Sequence, residues 1–160
     1  MESLTVRQVC RDADATSGSL YHHFQSMEGL LEVAIDVSIA EWVEGFLARL
    51  HGSESAVDGL ARAFKYHGSW VAKQPELAAL IFRSARRASE GGSSVTIRHG
   101  VASWLIKHRL LDGVPPNVVS SLMFGPLIEA TRLQILNGKF PPSAYVALAK
   151  GIHASLVEVS

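Results

Sequence analysis

His22 and His23 stand side by side, and paired imidazoles are a natural place to look for a metal site. Adjacent helical residues do not share a face, and ligands on one face need a spacing of three or four. No metal site is expected here, and no cofactor. Cys10 is the single cysteine, and it recurs at helical spacing with Val6, Val9 and Ala13. A free cysteine on an apolar stripe behaves as a small hydrophobe, so a core role is expected rather than a nucleophilic one. His67 and His99 offer acid–base chemistry, yet no nucleophile, base and orienting group occur together at readable spacing. An enzyme is therefore not expected. Bulky rings concentrate in the middle of the chain at Trp42, Phe46, Phe64, His67, Trp70, Phe82, Trp104 and Phe124. Each is first of all a core residue. As a group they can line a mainly apolar small-molecule pocket, with His67, Tyr66, His99, His108 and Arg83 as the polar groups that orient a ligand. Arg83, Arg86 and Arg87 can meet an anionic ligand, although a solvated helix face explains them more simply.

These side chains need a scaffold, and the apolar spacing makes it all-α. Apolar residues form 48% of the 160 residues and charged residues 19%, which excludes a disordered chain, a fibre and a disulfide scaffold. A single cysteine and the lack of a signal-like N-terminus point to the cytoplasm, and charges interrupt even the richest apolar stretch, 30–50. Thr5 and Gln8 form a capping-box pattern that opens a helix over about 5–13. After a break at Asp14-Ala15, Thr16 caps a second short helix carrying Leu20 and Phe24 on one face. Ser26 caps a third, running to about 50, with Glu28 in its first turn and a buried stripe of Leu31, Ile35, Ile39, Trp42, Phe46 and Leu50. Further helices fit about 55–73, 75–88, 94–110, 116–137 and 142–158, separated by Gly, Ser and Pro breaks. Pro126 should kink the penultimate one.

Two short helices joined by a turn of about three residues form a helix-turn-helix, whose second helix can lie in the DNA major groove. The residues make the pattern specific: Thr5-Val-Arg-Gln-Val-Cys-Arg-Asp-Ala13, then Thr16-Ser-Gly-Ser-Leu-Tyr-His-His-Phe24, then Ser26-Met-Glu-Gly-Leu-Leu31. The run resembles the TetR family of bacterial transcriptional regulators over about residues 4–35. That resemblance implies a helix-turn-helix head over 1–31 and a helical ligand-binding and dimerisation domain over 32–160. It implies DNA contacts from Arg7, whose guanidinium suits guanine O6 and N7, and from Ser17, Ser19, Tyr21, His22 and His23. Leu20 and Phe24 match the buried side of the recognition helix. It further implies a cytoplasmic, ligand-responsive repressor acting as a homodimer on double-stranded operator DNA, its small-molecule effector unspecified. The helices at 116–137 and 142–158 would pair with their copies; they carry Val118, Leu122, Leu127, Leu133, Leu136, Val146, Leu148, Ile152 and Leu156. Ligand binding would then tilt the helix over 27–50 and change the spacing of the two recognition helices.

Three departures from the family pattern favour an alternative, a shortened relative that has lost DNA binding and acts as a ligand-binding or protein-interaction dimer. The family places a full helix before the position of Thr5, and its absence should leave Val6, Val9, Leu20 and Phe24 on a hydrophobic surface. Met27 stands where the family has lysine, and Asp14 where it has the turn glycine. Residues 1–31 carry Arg7 and Arg11 against Glu2, Asp12, Asp14 and Glu28, whereas DNA-binding heads are usually basic. The whole chain is neutral but uneven: residues 1–60 hold three Lys/Arg against ten Asp/Glu, and 61–160 reverse the balance.

Overall fold

The computed structural model describes residues 5–88, 92–110, 114–137 and 140–159. Among them are eight helices and no strand: α1 (Val6–Asp12), α2 (Ser17–Phe24), α3 (Met27–His51), α4 (Ala56–Lys73), α5 (Pro75–Ala88), α6 (Gly92–Lys107), α7 (Pro116–Asn137) and α8 (Pro142–Val159). The chain is all-α. It divides into two compact units, Met1–Ser38 and Ile39–Ser160, with the boundary inside α3.

Local hydrogen bonding sets the ends of the first unit's helices. Gln8 N–H donates to Thr5 Oγ1 at 3.3 Å and Thr5 N–H to Gln8 Oε1 at 2.9 Å, the reciprocal box expected from the sequence. At the other end of α1, Asp14 adopts φ 49°. Ala15 N–H donates to Cys10 O at 2.9 Å and Asp14 N–H to Arg11 O at 3.4 Å, a Schellman closure that usually employs glycine. Aspartate tolerates this left-handed conformation better than most residues, so the turn forms without glycine. Thr16 caps α2 by accepting from Ser19 N–H at 3.1 Å, and Ser26 caps α3 by accepting from Gly29 N–H at 3.0 Å. The α2–α3 junction also needs Gly29, because a Cβ there would overlap the Phe24 carbonyl oxygen.

Burial in this unit departs from two expectations. Leu20 is buried rather than left on the surface, while Val6, Val9 and Phe24 are half-buried. Cys10 is also half-buried, so it does not occupy a core, because Leu20 alone is fully covered among the described residues of this unit. Leu31 is 44% exposed, and Val33 and Val37 join it at the surface. The expected stripe along α3 therefore closes only in its second half. There Phe46 and Leu50 are fully buried, with Phe46 meeting Phe64 of α4 and Phe124 of α7.

The second unit has a continuous core built from Phe46, Leu50, Leu60, Phe64, Trp104 and Met123 together with the inner residues of α8. Within it α4 packs most extensively on α8, and also on α7 and α5. The close approach of α4 and α8 depends on Gly68, where a Cβ would overlap the Tyr145 ring. Proline begins α5, α7 and α8, at a position where a missing N–H leaves no helical bond unmade. A second Schellman closure ends α6: Leu110 N–H donates to Leu105 O at 2.9 Å, with Arg109 at φ 55°. Helix α7 runs through Pro126, beside Gly125, which has open space around it.

Candidate functional site

In the first unit, α1, the Asp14 turn and α2 form a helix-turn-helix. Every residue expected to meet DNA is exposed: Arg7 on α1, and Ser17, Ser19, Tyr21, His22 and His23 on α2. Their exposure follows from helical geometry. Leu20 and Phe24, four residues apart, take the inner side of α2 and leave a broad polar arc outward. Thr16 holds the Ser19 amide, so the N-terminal turn of α2 is ordered by its own sequence while the hydroxyls of Ser17 and Ser19 stay free of that cap. The His22 and His23 rings meet edge to face at 5.3 Å, and His23 leans toward Phe24 at 6.3 Å. Among the described residues no group of three or more metal-ligating side chains converges.

In the second unit the structure brings most of the aromatic candidates together. Trp42 is the hub, with ring centroids 5.2 Å from Phe46, 5.6 Å from His67 and 6.5 Å from Trp70. Phe64 and Phe124 join through Phe46. Phe46 and Phe64 are fully buried, whereas Trp42, Trp70 and Phe124 are half-buried. Trp104 lies apart in the core, against His108 at 5.0 Å. Phe82 and Arg83, with Arg86 and Arg87, lie outside the residues whose side chains are described. Tyr66 is committed elsewhere: its ring lies over Gly45, carries the Arg49 guanidinium at 4.1 Å and donates its hydroxyl to Glu41 O at 3.4 Å. His99 is exposed.

The polar chemistry of the cluster lies at its inner edge. His67 is 8% exposed, and burial lowers its pKa to about 4, so it is neutral near pH 7. Its Nε2 lies 2.6 Å from Thr131 Oγ1, and the Thr131 hydroxyl lies 2.7 Å from Leu127 O. One hydroxyl proton serves one of the two contacts: Thr131 donates either to Leu127 O, accepting from His67 Nε2–H, or to a bare His67 Nε2. Nδ1 has no partner among the described residues, and neither has Trp42 Nε1–H. Each such buried group costs about 1–3 kcal/mol while unsatisfied.

The sequence reading missed three polar residues that complete this network. One turn beyond Thr131, Gln134 donates through Nε2 to Gly68 O at 2.9 Å and accepts from the Tyr145 hydroxyl. Burial pushes the Tyr145 hydroxyl up to about 12, which keeps it a donor. The chain His67–Thr131, Gln134–Gly68, Tyr145–Gln134 links α4, α7 and α8. A signal was available, since Thr131 and Gln134 fall at positions four and seven after Leu127 on the buried stripe of α7.

The geometry of the first unit defines a class, the helix-turn-helix DNA-binding proteins. Residues 1–34 match the family described as bacterial regulatory proteins, tetR family. That match agrees with the resemblance read from the sequence, and over these residues the head is similar to the DNA-binding head of that family. Comparison with curated proteins and with solved structures gave no match. Among the described residues no helix is long and apolar enough to cross a membrane.

Proposed function

We propose that the chain is a ligand-responsive transcriptional repressor that acts in the cytoplasm as a homodimer on double-stranded operator DNA. The observation that carries the reading is the helix-turn-helix with Arg7, Ser17, Ser19, Tyr21, His22 and His23 all exposed, within the segment that matches the family. Dimerisation is supported by the outer face of α7 and α8. Val118, Ile128, Leu136 and Val157 are exposed there, and an open groove is lined by Leu122, Pro126, Ala144 and Leu148. Leu127, Ile152 and Leu156, read from the sequence as part of the same face, are buried in the chain's own core. Ligand response is supported by the ring cluster around Trp42 and His67. A two-fold dimer would place two copies of α2 about one helical turn apart on a palindrome.

The test is fluorescence-anisotropy binding of the chain to DNA from its own promoter across a salt series. Specific binding that weakens steeply with salt is expected. A dimer that binds no promoter DNA at any salt concentration would replace this reading with the second one, a family relative without DNA binding. Met27 at the family's lysine position and the acidic residues Asp12, Asp14 and Glu28 of the head favour that second reading.

A further inference from the structure

We infer that operator binding by this chain is proton-assisted, with His22 and His23 serving as phosphate-binding cations in a head that has no lysine. This rests on the DNA-binding reading above and adds its regulation by pH. Residues 1–64 contain no lysine, and the described residues of the first unit hold two permanent cations, Arg7 and Arg11. Against them stand Asp12 on α1, Asp14 in the turn, and Glu28, Glu32 and Asp36 on α3. These seven are the charged groups on the elements that flank α2. With both imidazoles neutral, the unit meets a polyanion with a net negative charge, whereas affinity for DNA comes largely from cations that displace phosphate counterions. Histidine is the side chain whose ordinary charge change falls between pH 5 and pH 8. The recognition helix carries two of them where lysine is lacking.

The placement of the pair suits this role. Both imidazoles are exposed on the outward arc of α2, with Ser17, Ser19 and Tyr21. Among the described residues neither is paired with a carboxylate; the two rings meet edge to face at 5.3 Å, and His23 leans toward Phe24 at 6.3 Å. Two like charges at that separation repel, and a phosphate set against both removes the repulsion. Proton binding and DNA binding therefore reinforce each other, because coupling between two ligands is reciprocal. A phosphate contact carries no sequence information, so protonation raises affinity for any duplex and leaves the choice of sequence to the other residues of the helix.

The test is fluorescence-anisotropy titration of the full chain with promoter DNA and with a scrambled duplex, from about pH 6 to about pH 8 and across a salt series. His67 stays neutral over this range, since its pKa is about 4. Both duplexes should bind at least about tenfold more tightly at the acid end, and the salt slope should steepen by about 2 per head, close to 0.9 for each imidazole set on a phosphate. Calorimetry in two buffers of different ionisation enthalpy should show protons taken up on binding near neutral pH. His22→Gln combined with His23→Gln keeps polar groups and removes both titrations. It should flatten the pH profile at the alkaline affinity. His22→Lys combined with His23→Lys supplies permanent charge and should give the acid affinity at every pH, a rescue that a merely structural role for the two rings would not allow. Affinity independent of pH, a pH profile unchanged by the glutamine pair, or a gain confined to promoter DNA would each overturn the assignment and leave the DNA-binding reading standing. No binding of either duplex at any pH would overturn that reading and this inference with it.

Discussion

Tyr21 is 48% exposed on α2, and its neighbours Ser17 and Ser19 are exposed with it, so its phenol is free to meet DNA. Tyr21→Ala should weaken operator binding by roughly tenfold in a gel-shift assay, while sedimentation shows the same oligomer as the unsubstituted chain. Asp14 is a different case, since it occupies a left-handed position at φ 49°. Asp14→Gly should stabilise the head by up to about 1 kcal/mol and, on the proposed function, strengthen operator binding by removing a negative charge from the head, which chemical denaturation and anisotropy would read together. His67 sets a pH dependence with a definite sign. Burial holds its folded pKa at about 4, against the ordinary 6.5, so between these values the unfolded chain binds a proton that the folded one refuses. The stabilisation is complete above pH 6.5 and is lost as pH falls to about 4, by about 3 kcal/mol in all. Urea denaturation from pH 7 to pH 4 should show this slope, and His67→Gln should remove its share.

At the scale of elements, the helix ends were legible because capping is local chemistry. Thr5 with Gln8, Thr16 and Ser26 act through bonds spanning three residues, and the first-turn prolines through their own fixed φ. Burial was less legible, because it depends on what covers each face. Leu31, Ile35, Ile39, Trp42, Phe46 and Leu50 form one stripe by spacing, yet Leu31 is exposed and Leu50 wholly buried. The junction of α2 and α3 gives a direct test. Gly29→Ala places a Cβ against the Phe24 carbonyl oxygen, backbone that has no rotamer by which to move aside. A destabilisation of about 1–3 kcal/mol confined to the head is expected, read as faster hydrogen exchange in α1 and α2 with the second unit unchanged.

At the scale of the whole molecule, the exposed face of α7 and α8 holds two helical glycines, Gly125 and Gly151, with nothing within 4 Å of an added Cβ. In an isolated chain either glycine could become alanine and gain up to about 1 kcal/mol of helix propensity. If copies of the chain pack close along this face, larger side chains would separate them instead. Gly151→Leu should therefore leave the monomer folded by circular dichroism and shift sedimentation from dimer toward monomer. An unchanged dimer would locate the interface elsewhere.

By itself the sequence determined the helices, their caps and the helix-turn-helix with its exposed Ser17, Tyr21 and His23, because these follow from short-range periodicity and hydrogen bonding. The tertiary structure alone decided which aromatic residues meet. Trp42 and His67 lie 25 positions apart in sequence, on α3 and α4, and become ring neighbours only when α4 lies beside α3. It also decided that His67 pairs with Thr131 and that Gln134 receives Tyr145, since a buried polar group is satisfied by whatever distant helix is packed against it. Spacing along one helix can mark such a group as facing inward, but its partner is chosen by packing.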